Sequence, residues 1–226
     1  MKSLKSISSI DSNNWLQAAL EVIKNNIVNL PDNKKIFTAA PILNPDSNYY
    51  SLWARDGAIT CLSVLELNDA YFNSVVFDCF ELLKNTQLPL GKIAAYISFS
   101  NLDSPQVVYD GWGNIEPLDG QMWYVLLAKK LFSITQNELY LSPSYLESYR
   151  RAMELLDYKA NHPNWLMSWP EFAGWDDQMR RRGRVASLES LRILALDSWA
   201  DLIEASGDKF LAEQKRNQAE ILRCNM

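Results

Sequence analysis

Helical periodicity runs through nearly the whole chain, and only two long stretches interrupt it. From Ser12, the apolar residues Trp15, Leu16, Ala19, Leu20, Ile23 and Ile27 recur at the spacing of one helical face, behind a Ser/Asn start. The same spacing predicts helices over 56–67, 70–83, 119–135, 144–160, 187–205 and 208–224. Asn68-Asp69, Ser142-Pro143 and Gly207 punctuate them as stop or start signals. Residues 35–43 are too short and too punctuated for a helix and read as a strand or extended loop. The interruptions are 87–118, with Pro89, Gly91, Pro105, Gly111, Gly113 and Pro117, and 161–184, which holds three tryptophans. Ordered loops longer than about 12–15 residues inside compact domains usually carry function. The expectation is an all-α single domain over 1–226, with about seven helices stacked around a centre and the long loops gathered at one end.

Several partner classes are excluded by composition. At 226 residues and 48% hydrophobic, the chain can bury one sizeable core. No apolar run approaches the roughly 20 residues of a membrane-spanning helix. The polar start Met1-Lys2-Ser3-Leu4-Lys5-Ser6 does not read as a secretion signal. A net charge of −5 argues against a nucleic-acid partner, because phosphate contacts need clustered Lys and Arg. Cys61, Cys79 and Cys224, far apart in sequence, suit a reducing, cytoplasmic setting, and with the lone His162 they give no zinc spacing.

Eight Trp and ten Tyr are many for this length, and several lie in polar, loop-like segments that also hold carboxylates. Aromatic faces beside carboxylates are one way to hold a sugar, since pyranose C–H faces stack on rings while hydroxyls need charged acceptors. Three segments carry this chemistry. In Trp53-Ala54-Arg55-Asp56-Gly57 a donor fork, a carboxylate and a stacking ring meet at a helix start; the plain alternative is a capping Asp beside a solvent-facing Arg. The segment around Trp112 leads to Asp119-Gly120-Gln121-Met122-Trp123, where Asp119 is placed to cap the helix and Trp123 lies one turn on. In Gly174-Trp175-Asp176-Asp177, followed by Arg180-Arg181-Arg182-Gly183-Arg184, adjacent acids sit between a Trp and an Arg run. An acid in an aromatic pocket is pushed towards the pKa a general acid needs, while nearby Arg opposes the shift.

Together, and in this order, the three segments resemble the (α/α)6-toroid glycosidases. They are most similar to the amylo-alpha-1,6-glucosidase (glycogen-debranching) group and its relatives among trehalases, processing alpha-glucosidases and neutral invertases. The resemblance spans roughly 35–210. It implies that Trp53, Arg55 and Asp56 bind the terminal sugar and that Asp119 contributes to the same pocket. It also implies that Trp53, Trp112, Trp123 and Trp175 wall the pocket, and that Asp177, or alternatively Asp176, is the general acid. The Arg-Arg-Gly-Arg run followed by Leu188-Glu189-Ser190-Leu191 continues the debranching-type pattern. No metal or organic cofactor is implied, and the substrate would be an α-glucoside or oligosaccharide.

A complete toroid of this kind has twelve helices and about twice this length, so the resemblance implies an incomplete (α/α)6 toroid. The base that activates water would lie in the second half and corresponds to no residue here. A fragment, a split gene product or a truncated enzyme is therefore expected, with an exposed inner face inviting self-association or a second-half partner chain. Two other readings compete: a carbohydrate-binding helical protein without catalysis, and a helical interaction scaffold whose tryptophans only pack.

Overall fold

In the computed structural model, residues 12–41, 49–110, 116–171, 173–174 and 182–226 are described. The elements in chain order are α1 (Ser12–Asn25), β1 (Ile27–Asn29), β2 (Lys35–Phe37), β3 (Ser51–Trp53), α2 (Ala54–Leu65), α3 (Ala70–Asn85), β4 (Tyr96–Ser98) and β5 (Gln106–Val108). They continue with α4 (Asp119–Thr135), a 3-10 turn (Glu138–Leu141), α5 (Pro143–Lys159), α6 (Ala186–Ala205) and α7 (Lys209–Asn225).

Short connections set the architecture. α2 joins α3, α4 joins α5 and α6 joins α7 through tight links that turn the chain back on itself. Each link is closed by local chemistry. Asp69 caps α3, its carboxylate accepting from the N–H groups of Tyr71 and Phe72 at 2.9 and 3.1 Å. Gln136 ends α4 in the left-handed region, Pro143 opens α5, and Gly207 turns at φ 103° before Asp208 caps α7. Across the hairpins, α4 packs between α2 and α6, while α3, α5 and α7 each lie against the helix before them. Because every hairpin reverses direction, the N-termini of α2, α4 and α6 point to one end, and the described parts of the three long links meet there, through β3 with β4 and Leu118 with Ala173.

Those long links are ordered by strand pairing rather than by helices. β3, just before α2, pairs antiparallel with β4 from the link before α4, matching Leu52 with Ile97 and Trp53 with Tyr96; β4 pairs in turn with β5. β1 and β2 form a separate hairpin, so Ile27, counted in the first helix by its periodicity, is a strand residue. Asn33, at φ 67°, sits in the turn that joins β1 to β2.

The core is continuous beneath this end. Tyr124 of α4 stacks on Phe80 of α3 at 4.9 Å and bonds Ser148 of α5 at 2.9 Å. Gln87 reaches from the link after α3 to the Ser148 and Gly91 carbonyls at 2.9 and 3.1 Å. Cys61 and Cys79 are both fully buried in the core, where burial pushes the Cys61 thiol up. The expected apolar face of α1 is buried only in its second half. Leu20 and Ile23 pack on the core, but Trp15 and Leu16 are exposed because no described element covers them. Ile59 of α2 and Leu194 of α6, on the flanking helices of the α2–α4–α6 row, are exposed as well.

Gly91 is the tightest backbone position of the long link. It is buried at φ 94°, and a Cβ there would lie 2.0 Å from the Arg151 carbonyl oxygen. Gly91→Ala should destabilise the fold by about 2 kcal/mol or more, because both the left-handed backbone and the clash oppose it. Urea unfolding measures this.

Candidate functional site

The first two sequence segments meet directly. Arg55, in the first turn of α2, donates from Nη1 to Asp119 Oδ2 at 3.0 Å, in the first turn of α4. Asp119 is buried, so the expected capping role is corrected: the N-cap of α4 is Leu118, which makes no side-chain cap bond. A charged guanidinium outcompetes a neutral backbone N–H for a carboxylate. Burial pushes the Asp119 carboxyl up from the ordinary range, and Arg55 pulls it back only in part.

Arg55 and its sequence neighbour diverge. Asp56 Oδ2 lies 3.9 Å from Arg55 Nη2, yet the Asp56 side chain is 56% exposed and borders a cavity of about 480 Å³. Thr60 of α2, Asn26, Thr38 and Tyr49 also line this cavity. Asn26 Oδ1 is buried without a hydrogen-bond partner among the described residues. This space therefore presents carboxylate, amide and hydroxyl groups beside an aromatic ring.

Trp53 is partly covered. It stacks on Tyr96 at 4.5 Å, and Tyr49 tilts toward it at 6.3 Å. Its indole Nε1 is buried with no partner among the described residues. Trp123 lies half-buried against the core, one turn after Asp119.

The chain entering the third segment reaches the same place through Ala173 and Gly174. Leu118, adjacent to Asp119, donates its N–H to the Ala173 carbonyl at 3.1 Å. Gly174 packs so closely on the first turn of α6 that a Cβ would lie 2.9 Å from Leu188 Cδ2. Trp112, Trp175, Asp176 and Asp177, named from the sequence as pocket walls and candidate acids, lie outside the described residues. Trp169 and Gly183, on either side of 170–182, pair through two backbone bonds of 2.8 and 2.9 Å.

The charges that stitch the links were not singled out from sequence. Lys92 contacts Asp110 at 2.7 Å and Glu116 at 3.6 Å, and Lys159 contacts Glu116 at 2.5 Å. These pairs join residues 18 to 43 positions apart, and nothing local in the sequence marks them. Among the described residues no group of His, Cys, Asp and Glu could hold a metal ion, and no helix is long and apolar enough to cross a membrane.

No family model and no curated protein matches the chain. Solved structures do. A Streptococcus pneumoniae protein from a family of metal-independent alpha mannosidases, solved in a non-productive complex with alpha-1,6-mannobiose, superposes with a TM-score of 0.64 at 13% identity, over 94% of this chain. Glucoamylase from Saccharomycopsis fibuligera superposes with a TM-score of 0.64 at 17% identity, over 97% of this chain. Both are (α/α)6 toroids, and the likeness shows that the helical pairs described above have that architecture. The chain spans 58% and 50% of the length of these two proteins.

Arg55→Met should destabilise the fold by about 3 kcal/mol at neutral pH, since it leaves a buried carboxylate unpaired. The loss should shrink as pH falls. Removing Arg55 raises the Asp119 pKa further, so the carboxyl takes a proton in the folded state before it does in the unfolded one, which relieves the penalty. Denaturant unfolding at a series of pH values between neutrality and the acid range checks the sign.

Proposed function

We propose that the chain forms the sugar-holding and acid-bearing part of a glycoside hydrolase site, inverting and of the α-glucosidase or debranching type. The observation that supports this reading is the meeting of Arg55 with Asp119, and of Leu118 with Ala173, at one end of the toroid. The likeness to a mannosidase and a glucoamylase supports the same class of chemistry.

The residues divide the work as follows. Asp119 fixes the Arg55 guanidinium by one nitrogen, leaving its other N–H groups to donate to sugar hydroxyls. The exposed Asp56 carboxylate accepts from hydroxyls on the same glycon. Trp53, Trp112, Trp123 and Trp175 supply ring faces. Asp177, with Asp176 as the alternative, protonates the leaving glycosidic oxygen. Inversion further needs a base about 6.5–9.5 Å from the acid, directing water at the opposite face of the sugar. That base is assigned to no residue of this chain. A reducing, cytoplasmic setting accords with the cysteine usage.

A panel of maltose, isomaltose, trehalose, sucrose and alpha-1,6-mannobiose tests the class and linkage, with the released anomer followed by NMR. The expected result is hydrolysis of an α-glucoside with a β-anomer appearing first. Absence of both hydrolysis and calorimetric binding across the panel would contradict the proposal. Binding without hydrolysis would instead favour a non-catalytic carbohydrate-binding protein, a reading prompted by the chain's spanning only about half the length of its neighbours. In the active protein, Asp177→Asn should lower turnover by at least about 10²-fold. Parent-like turnover would transfer the acid role to Asp176, which Asp176→Asn then checks.

A further inference from the structure

Two charges are buried on α6, where the periodicity calls for apolar residues. Glu189 and Arg192 are 1% and 0% exposed, on the same face as Leu188, Ile193 and Leu196. Burying an acid and a base costs free energy unless their hydrogen bonds are made, so their bonds show what they are kept for. Glu189 Oε1 accepts from the Met167 backbone N–H at 2.6 Å and from the Trp169 indole Nε1–H at 2.8 Å. Its other oxygen, Oε2, makes no hydrogen bond among the described residues and lies 3.7 Å from Arg192 Nη1. Arg192 donates to the Trp165 and Pro163 carbonyls at 2.8 and 3.0 Å, and to Asp157 at 2.9 Å.

Apart from the bond to Asp157 on α5, these bonds hold one stretch of chain, 163–169, and its last residue is Trp169. Trp169 is itself 1% exposed and is paired by its backbone with Gly183. The 13 residues between them, 170–182, contain Trp175, Asp176 and Asp177. The geometry points to Glu189 as a positioning residue: it clamps Trp169 at the base of 170–182 and so fixes where the acid-bearing segment leaves and rejoins the fold. This rests on the reading of Asp177 or Asp176 as the acid, but the clamp itself does not. Arg192 serves the same clamp from the other side by fixing 163–165 and by lying against Glu189 Oε2.

A charged acceptor for two buried N–H groups cannot be replaced by solvent, because neither donor is near the surface. A glutamine keeps one oxygen of the same reach and so keeps the clamp; an alanine removes it. Imprecise placement of a general acid lowers the rate of the chemical step more than it weakens the sugar complex.

Hydrogen exchange with mass spectrometry on the full chain tests the clamp without needing activity. Glu189→Ala should raise exchange over 165–184 by about 10-fold or more, the scale of a lost bond to a charged acceptor, while 119–135 keeps its protection. Glu189→Gln should stay within about threefold of the parent. Unchanged exchange in Glu189→Ala, or an equal rise throughout the molecule, would overturn the clamp. Should Glu189→Ala not fold, a rise confined to 165–184 in Trp169→Phe, which removes the indole donor, supports it, and no rise there overturns it. On any substrate found to be hydrolysed, Glu189→Ala should lower kcat by about 10-fold or more with KM within about threefold, and Glu189→Gln should recover most of it. An unchanged kcat would overturn the positioning role. A parent protein that hydrolyses nothing counts against the hydrolase reading alone, and the exchange result still decides the clamp.

Discussion

The ion pair between Arg55 and Asp119 is the contact on which the rest of the site depends. It joins the first turns of two adjacent helices of the row, 64 residues apart in sequence, and it is largely out of water. A buried pair of this kind is weak evidence for stability, since desolvation offsets much of the attraction. Its value is orientation. With one nitrogen committed to Asp119, the guanidinium is held in a single pose at the end where the long links gather. The cost appears in Asp119 itself, whose carboxyl is pushed up by burial despite its partner.

That convergence follows from chain lengths. Three short links force three antiparallel hairpins, and three long links are left on the opposite end. The long links cannot pack as helices, having too many Gly and Pro, so their backbone groups are satisfied by pairing: β3 with β4, β4 with β5, Trp169 with Gly183, Leu118 with Ala173. The division of labour is thus between helices that make a core and links that carry polar and aromatic groups, with buried charges such as Glu189 and Arg192 connecting the two.

Much of this was legible in the sequence. The helix over 119–135 is found at those limits, and the ends of the others shift by at most two residues, because periodicity, caps and Pro or Gly stops agree. The shortest strands were not legible: β1, β3, β4 and β5 are three residues each, and no pattern of that length distinguishes a strand from a loop. Arg55 and Asp119 were each visible as chemistry, but their bond was not, since a partner 64 residues away leaves no local trace. Asp119 looked like a cap because caps are local and common; the long-range guanidinium prevailed. Glu189 and Arg192 lie at i, i+3 on an apolar helical face, a local pattern that was available in the sequence, although Glu189 was read only as part of the debranching-type pattern and Arg192 was not singled out.

The central claim is that the N-terminal ends of α2, α4 and α6 form one sugar site. Amide and indole NMR shifts during titration with an α-linked glucose oligosaccharide test it most directly. The account predicts saturable shifts at Trp53, Arg55, Asp119, Ala173 and Gly174, with the hairpin links at 66–69, 136–142 and 206–208 unmoved. Shifts confined to those links, or none at any sugar concentration, would contradict it.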